Sequence, residues 1–333
     1  DPRAVAAVAG VGPKHVYEAA LNGFAADLND GQLNALRHNR DVESIEEDQE
    51  ATADATQSMD ANGDPWGLDR IDERALPLSG SYTYNASGSG VRAYIIDTGL
   101  QANHPQFGSR ASNVYDAFGG NGSDCNGHGT HVGGTVGGAT YGVAKSALLR
   151  GVRVLDCNGS GSYSGIIAGV DWVRKNHIKP AVANMSLGGG YSSSVNTAVN
   201  NLASAGVFTA VAAGNSNANA CNYSPASASA AFTTAASTKS DAKASYSNYG
   251  SCVDAYAPGS AIKSAWINGG VNTISGTSMA SPHVAGVGAL YKSAYGDAAS
   301  STIGNWIINN ATTNVIGGNP SGTPNRLLYK GGL

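Results

Sequence analysis

From Trp66 onward, short apolar runs alternate with longer stretches of helical spacing, and few chain plans accommodate that alternation. Val91 to Ile96, Leu148 to Leu155, Val182 to Met185 and Val207 to Ala212 are compact apolar runs of the kind that form strands buried on both faces. Tyr163 to Asn176 and Ser193 to Ala205 carry helical spacing instead. Buried strands joined by helices predict a mostly parallel central sheet with helices on both sides, an α/β domain over residues 66–333 without internal repeats.

Residues 1–50 differ from the rest. They hold most of the short charged runs and end in the acidic stretch Asp41, Glu43, Glu46, Glu47, Asp48 and Glu50. Within them, Val16 to Leu28 reads as two strands around an Asn22-Gly23 turn, Asp30 as the cap of a helix through Arg37, and Asp41 to Glu46 as a further strand. A small α+β unit is expected there. The segment 51–65 is Ala, Thr, Asp, Asn and Gly with almost nothing to bury, so it is expected to be an exposed, cleavable linker.

Charged residues make up 13% of the chain, about half the globular norm of roughly 25%, and the formal net charge is -4. With no block of Lys or Arg to meet phosphates, no nucleic acid partner is expected. No apolar stretch reaches the ~18 residues needed to cross a bilayer, so no membrane association is expected. The N-terminus lacks a basic segment followed by an apolar core, which implies that any secretory signal is absent or already removed.

Cys125, Cys157, Cys221 and Cys252 include no Cys-x-x-Cys pair of the kind zinc prefers. Four cysteines allow three pairings; two disulfides in an oxidising compartment is the favoured reading, against four buried thiols in a reducing one.

Three stretches carry an acid, a base and a hydroxyl among small residues: Asp97-Thr98-Gly99, Gly127-His128-Gly129-Thr130-His131 and Gly276-Thr277-Ser278-Met279-Ala280-Ser281-Pro282-His283. Asp97 ends an apolar strand, where open α/β sheets place their sites. His128 sits between two glycines that permit close approach. Ser278 opens an apolar helix, whose dipole and free N–H groups suit a developing oxyanion. Singly, each has an ordinary reading: a turn-forming Asp, a core His, a helix cap. His128 and His131 are three apart with no intervening Glu, which does not match a zinc-protease helix, and His131 is read as structural. Jointly, Asp, His and Ser occur in the chain order of subtilisin, and no Gly-x-Ser-x-Gly elbow of the other hydrolase fold surrounds Ser278. The reading requires folding to gather the three into one hydrogen-bonded row.

These motifs resemble those of the subtilisin-like serine proteases over essentially all of residues 66–330, and more narrowly the proteinase K subfamily and its aqualysin branch. The supporting stretches are Trp66 to Asp72, Leu155 to Gly161, Asn184 to Gly190 and Ala212 to Asn215. The resemblance implies a subtilisin-like three-layer domain and a secreted, monomeric endopeptidase acting on proteins and peptides. Ser278 would be nucleophile, His128 general base and then acid, Asp97 the orienting acid, and Asn215 an oxyanion donor. Substrate would lie between Gly159, Ser160, Gly161 and Ser186, Leu187, Gly188, with Ala212, Ala213 and Gly214 lining an uncharged P1 pocket of broad apolar and aromatic preference. The subfamily pattern pairs Cys125 with Cys157 and Cys221 with Cys252.

Structural calcium is implied too, held by Ser229 and Ala231 carbonyls and the Asp254 carboxylate. A second set would be Asp69, Asp72 and Glu73, although Ser79 and Ser81 stand where some relatives carry Asp and Asn; the alternative for it is a solvated acidic turn. Residues 1–50, through Val16-Tyr17-Glu18 and Leu21 to Leu28, resemble the inhibitory propeptide of these proteases. An opening strand expected of that domain is missing before Asp1, which implies a start inside the propeptide, and cleavage is expected near Asp54 to Ser58. A catalytically silent peptide-binding protein of the same fold is the competing reading.

Overall fold

The computed structural model describes residues 1–17, 23–45 and 55–333, and the chain divides into two compact units, Asp1–Ala53 and Asp54–Leu333. In the first, α1 (Pro2–Val8) precedes the antiparallel pair β1 (His15–Tyr17) and β2 (Gly23–Ala25), followed by α2 (Asp30–Arg37). Ala6, Val11 and Leu36 are its buried core, with Phe24 packed against them.

Three expectations for this unit are corrected. Gly23 pairs with Tyr17 as a strand residue, because the register that puts Phe24 beside the core draws it out of the turn; residues 18–22, including Asn22, lie outside the described residues. The helix cap is Asn29, not Asp30: Asn29 Oδ1 accepts from Gln32 N at 2.9 Å while Gln32 Oε1 accepts from Asn29 N at 3.0 Å. That reciprocal box satisfies two donors where Asp30 would satisfy one. Residues 41–45 form no strand, and Glu46 to Asp54 lie outside the described residues.

The second unit begins with order rather than with a free linker. β3 (Ala55–Ser58) pairs antiparallel with β4 (Ser81–Tyr84), on either side of α3 (Trp66–Asp72). Asp60 closes a turn on Asn62 N and Asp64 N and pairs with Lys263 at 2.8 Å. Residues 55–65 therefore belong to the larger unit. Their polar composition hides this, because backbone pairing, a Thr56–Thr83 hydroxyl contact and one ion pair hold them, with only Met59 and Pro65 packed inward.

Along the chain follow β5 (Arg92–Asp97), β6 (Ala111–Asp116), α4 (His128–Gly137), β7 (Leu148–Arg153), α5 (Tyr163–Asn176), β8 (Ala181–Met185), β9 (Gly189–Gly190), α6 (Ser193–Ser204), β10 (Phe208–Ala212) and β11 (Tyr223–Ser224). Next come β12 (Phe232–Ser237), β13 (Ala255–Pro258), β14 (Ile262–Trp266), β15 (Gly270–Ile274), α7 (Thr277–Tyr295), α8 (Ser300–Asn310), β16 (Thr312–Thr313) and β17 (Arg326–Leu327).

Nine strands form one sheet in the order β16-β17-β13-β12-β10-β8-β5-β7-β6, parallel except at the β16 edge. Each central strand is buried on both faces, as its apolar run predicts. Ala93 and Ile95 of β5 join the core under α4 and α7, whereas Tyr94 and Ile96 join the core under α5 and α6. The result is the expected three layers. Glycine lets α7 lie close: a Cβ at Gly286 would run into Val143, and one at Gly288 into Phe208.

The strand order reverses at β5. The chain leaves it for β7 and β6 on one side and returns to β8 on the other, so a crevice opens beyond the carboxyl ends of β5 and β8. Disulfides join Cys125 to Cys157 and Cys221 to Cys252, and no free cysteine remains among the described residues. The first ties the loop before α4 to the loop after β7, both at that crevice.

Candidate active site

Asp97 is the last residue of β5, and its side chain is fully buried. Its Oδ1 accepts from Thr98 N at 2.7 Å, and its two oxygens lie 2.8 and 3.0 Å from His128 Nδ1. Because the carboxylate accepts only, His128 carries its proton on Nδ1 and keeps the Nε2 lone pair. Burial opposes charging this imidazole. The charge and hydrogen bond of Asp97, with the charge of Asp124, outweigh it and hold His128 above its ordinary value.

His131, one turn along, is structural as expected. It is fully buried, its Nε2 donates to Ile262 O at 2.9 Å, and burial pushes its pKa down to about 4.

Ser278 occupies the second position of α7. Its Oγ donates to Ser186 O at 3.2 Å. The hydrogen-bonded row thus joins acid to base, while the hydroxyl is directed to Ser186 rather than to His128. Catalytic hydrogen bonds commonly tighten only in the substrate complex, and a serine hydroxyl is redirected by rotation about one bond. Pro282 explains a second tie: lacking an N–H, it leaves the Ser278 carbonyl without its helical donor, and Ser186 Oγ fills the gap at 2.7 Å. Asn184 and Ser281 extend that tie into the core, with Asn184 Nδ2 donating to Ser186 Oγ at 2.8 Å and Ser281 Oγ to Asn184 Oδ1 at 2.7 Å.

Asn215 follows β10. Its Oδ1 accepts from Thr277 N at 2.8 Å and Thr277 Oγ1 at 2.9 Å, which fixes the amide with Nδ2 on the other side. A Cβ built on Gly276 would sit 3.6 Å from both Asn215 Nδ2 and Ser278 N, so the two donors face one small space.

Beside them opens a cavity of about 330 Å³ lined by Leu187 to Gly190, Ala212 to Ser216, Tyr223, Ser224, Ala226, Thr277 and Ser278. No charged side chain lines it. Ala212, Ala213 and Gly214, expected at a P1 pocket, line it, as do Leu187 and Gly188 of the expected substrate edge. Gly189, Gly190, Tyr223 and Ser224 were missed, because they form the short β9–β11 ladder, whose pairing leaves no trace in local periodicity. Gly159, Ser160 and Gly161 form an exposed stretch outside this cavity, in a loop held by Asp156 Oδ1, which accepts from Asn158 N at 2.8 Å and Ser160 N at 2.9 Å.

The proposed cation ligands divide. Asp254 Oδ2 accepts from Thr233 N at 2.7 Å, and burial raises its carboxyl to about 6, a carboxylate short of positive charge. A buried carboxylate oxygen of this kind is the donor chemistry that a hard cation takes. Asp69, Asp72 and Glu73 do not fit. Asp69 accepts from Ser79 Oγ and Gly80 N, Asp72 from Thr83 N and pairs with Lys330 at 2.9 Å, and Glu73 accepts from Ser79 N. Protein donors already occupy them, and among the described residues no three His, Cys, Asp or Glu side chains gather as a metal cage.

Residues 88–327 match the model of the Subtilase family, and residues 3–54 that of Peptidase inhibitor I9. An extracellular serine proteinase of Thermus sp. is 54% identical over 94% of this chain and 77% of its own length. An alkaline serine exoprotease A of Vibrio alginolyticus is 52% identical over 94% of this chain, which spans 59% of that relative. Proteinase R of Parengyodontium album is 46% identical over 95% of this chain and 81% of its own length. The crystal structure of a cold adapted subtilisin-like serine proteinase superposes with a TM-score of 0.78 at 53% identity, over 80% of this chain and 97% of that one.

Proposed function

The chain belongs to the subtilase family, and from that premise we propose that it is a secreted serine endopeptidase that cleaves peptide bonds through an acyl-enzyme. The observations that carry this reading are the buried Asp97 held on His128 Nδ1 and an uncharged cavity lined by Ser278 and Asn215.

Ser278 Oγ attacks the peptide carbonyl as His128 Nε2 takes its proton, and Asp97 stabilises the imidazolium. The carbonyl oxygen becomes an oxyanion that accepts from Ser278 N and Asn215 Nδ2. Collapse breaks the C–N bond, the amine leaves with the proton from His128, and the acyl group stays on Oγ. Water repeats the sequence with its proton on His128, releasing the acid and restoring Ser278. An extended substrate pairs its backbone with Gly159 to Gly161 on one side and Ser186 to Gly188 on the other. Its P1 side chain enters the neutral cavity.

Labelling with a serine-directed phosphonate tests this directly. One adduct on Ser278 should form and casein digestion should stop. The fragments made without inhibitor should end in aromatic and aliphatic residues. Intact casein, or fragments ending mainly in Lys or Arg, overturns the activity or the pocket assignment respectively; intact casein alone would favour a silent peptide-binding protein.

Asn215→Leu keeps the volume and removes the amide donor. Its kcat should fall by about 10²- to 10³-fold with KM nearly unchanged, the scale established for the equivalent loss in subtilisin. An unchanged kcat removes Asn215 from the role.

Residues 1–53 act as the inhibitor of this site, supported by their match to an inhibitor family, until cleavage near Asp54, ahead of the paired strand β3. Calcium, where bound, is held by Ser229, Ala231 and Asp254 and contributes stability rather than chemistry. At a hundred times its Kd it adds about 2.7 kcal/mol, about 5 °C in Tm for a chain of this size. Chelation should remove that increment, and Asp254→Asn should abolish the response. Since binding needs the ionised carboxylate, the increment should fade as pH falls below about 6. A melting curve indifferent to both changes ends the assignment.

A further inference from the structure

We propose that Asp124, a carboxylate outside the acid, base and nucleophile set, positions the catalytic imidazole by clamping the end of β5 to the first turn of α4. The proposal rests on the reading of His128 as general base.

Asp124 lies four residues before His128 in the loop that enters α4. Its Oδ1 accepts from Thr98 Oγ1, Asn126 N and Gly127 N, each at 2.9 Å. Its Oδ2 accepts from Thr130 N at 2.9 Å and Thr130 Oγ1 at 2.6 Å. Five donors exceed the roughly four lone-pair positions of one carboxylate, so every acceptor position of Asp124 is engaged. Thr98 is the residue after Asp97, and its Oγ1 in turn accepts from Gly129 N at 2.9 Å, the residue after His128. Asp97 and His128 are thus each flanked by a residue that Asp124 or its partner holds.

The helix explains why a separate residue is needed. α4 is capped by Gly127, which has no side chain to satisfy the first-turn N–H groups. Glycine is required there, since a Cβ at Gly127 would strike Trp266. Asp124 supplies the missing acceptors from outside the helix and places an anion where the helix dipole favours one.

The titratable groups around His128 are Asp97 from β5, Asp124 from the loop, His131 on α4 itself and His283 on α7, next to His131. Burial pushes both of those histidines to about 4, leaving them neutral near pH 7. The carboxylates alone favour the imidazolium, and Asp124 is the smaller contributor of the two.

The test separates positioning from mere stability. In the full chain carrying Ser278→Ala to prevent self-digestion, the NMR titration midpoint of His128 should fall on adding Asp124→Asn, because a carboxylate that favours the imidazolium is removed. In the active chain, Asp124→Asn should lower kcat by about 10- to 100-fold, the scale of a misplaced reacting group, with KM held and the acid limb moved to lower pH. Thr98→Val breaks one arm of the clamp while keeping the charge, so kcat should drop with the acid limb fixed, and Thr98→Ser should restore it. An unmoved His128 midpoint, or a Thr98→Val enzyme with the parent kcat, overturns the proposal. Should Asp124→Asn fail to fold, the Thr98 pair decides alone. Phosphonate labelling of the parent reports separately on the protease reading, because the NMR midpoint does not depend on turnover.

Discussion

Replacing Ser278 with alanine is expected to lower kcat by about 10⁶-fold, the scale established for the nucleophile of subtilisin. The loss is this large because the remaining parts cannot compensate: His128 has no hydroxyl to deprotonate, and the acyl-enzyme has no oxygen to form on. Residual turnover of about 10³- to 10⁴-fold over water should survive from Ser278 N, Asn215 and the cleft. The fold should hold, since the Ser278 carbonyl keeps its bond from Ser186 Oγ. Single-turnover kinetics on an amide substrate, with calorimetry beside them, make the comparison. A loss under about a hundredfold in a fully folded protein would assign the nucleophile elsewhere.

Asp97→Asn should lower kcat by about 10⁴-fold, again by analogy with the known serine protease case. An amide in this buried position can donate to His128 Nδ1 as well as accept, which permits the tautomer with its proton on Nε2 and so disables the base. The pH behaviour follows from the same contact. His128 is held above its ordinary value by Asp97 and Asp124, and only its neutral form works as base, so parent activity is lost as pH falls through that raised value. In Asp97→Asn the acid limb should move to lower pH. For folding the sign reverses: a raised histidine pKa contributes stability that is complete below the ordinary value near 6.5 and is lost as pH rises through the folded value. An acid limb that stays in place would show that another group controls it.

Wherever burial dictated residue type, the fold could be read in advance. β5, β7, β8 and β10 coincide with four apolar runs because a strand covered on both faces admits little else. α5 matches its expected bounds because Ser162 caps it, accepting from Gly165 N. Where partners are distant in sequence, the reading failed. β3 is polar and holds to β4 through backbone pairing and one Thr56–Thr83 hydroxyl contact, and the β9–β11 wall of the cavity joins residues with no local signature. The acidic trio near residue 70 misled for a related reason: composition shows carboxylates but not the Ser79, Gly80, Thr83 and Lys330 donors that consume them. The motif residues were legible as a set, since Asp, His, Ser and Asn each sit at the carboxyl end of a strand or the start of a helix. Asp124 escaped notice because an aspartate in a glycine-rich turn looks ordinary until its five donors are seen.

A specificity cavity without charge has one further consequence. On the specificity proposed above, the enzyme has no means of sparing its siblings, since any stretch of chain that straightens and offers an apolar residue is a substrate, including its own. Survival in a concentrated population then depends on how rarely each molecule exposes a slack loop, a matter of the fraction transiently open rather than of recognition. The sulfur bridge from Cys125 to Cys157 limits such opening in the loop that leads into His128.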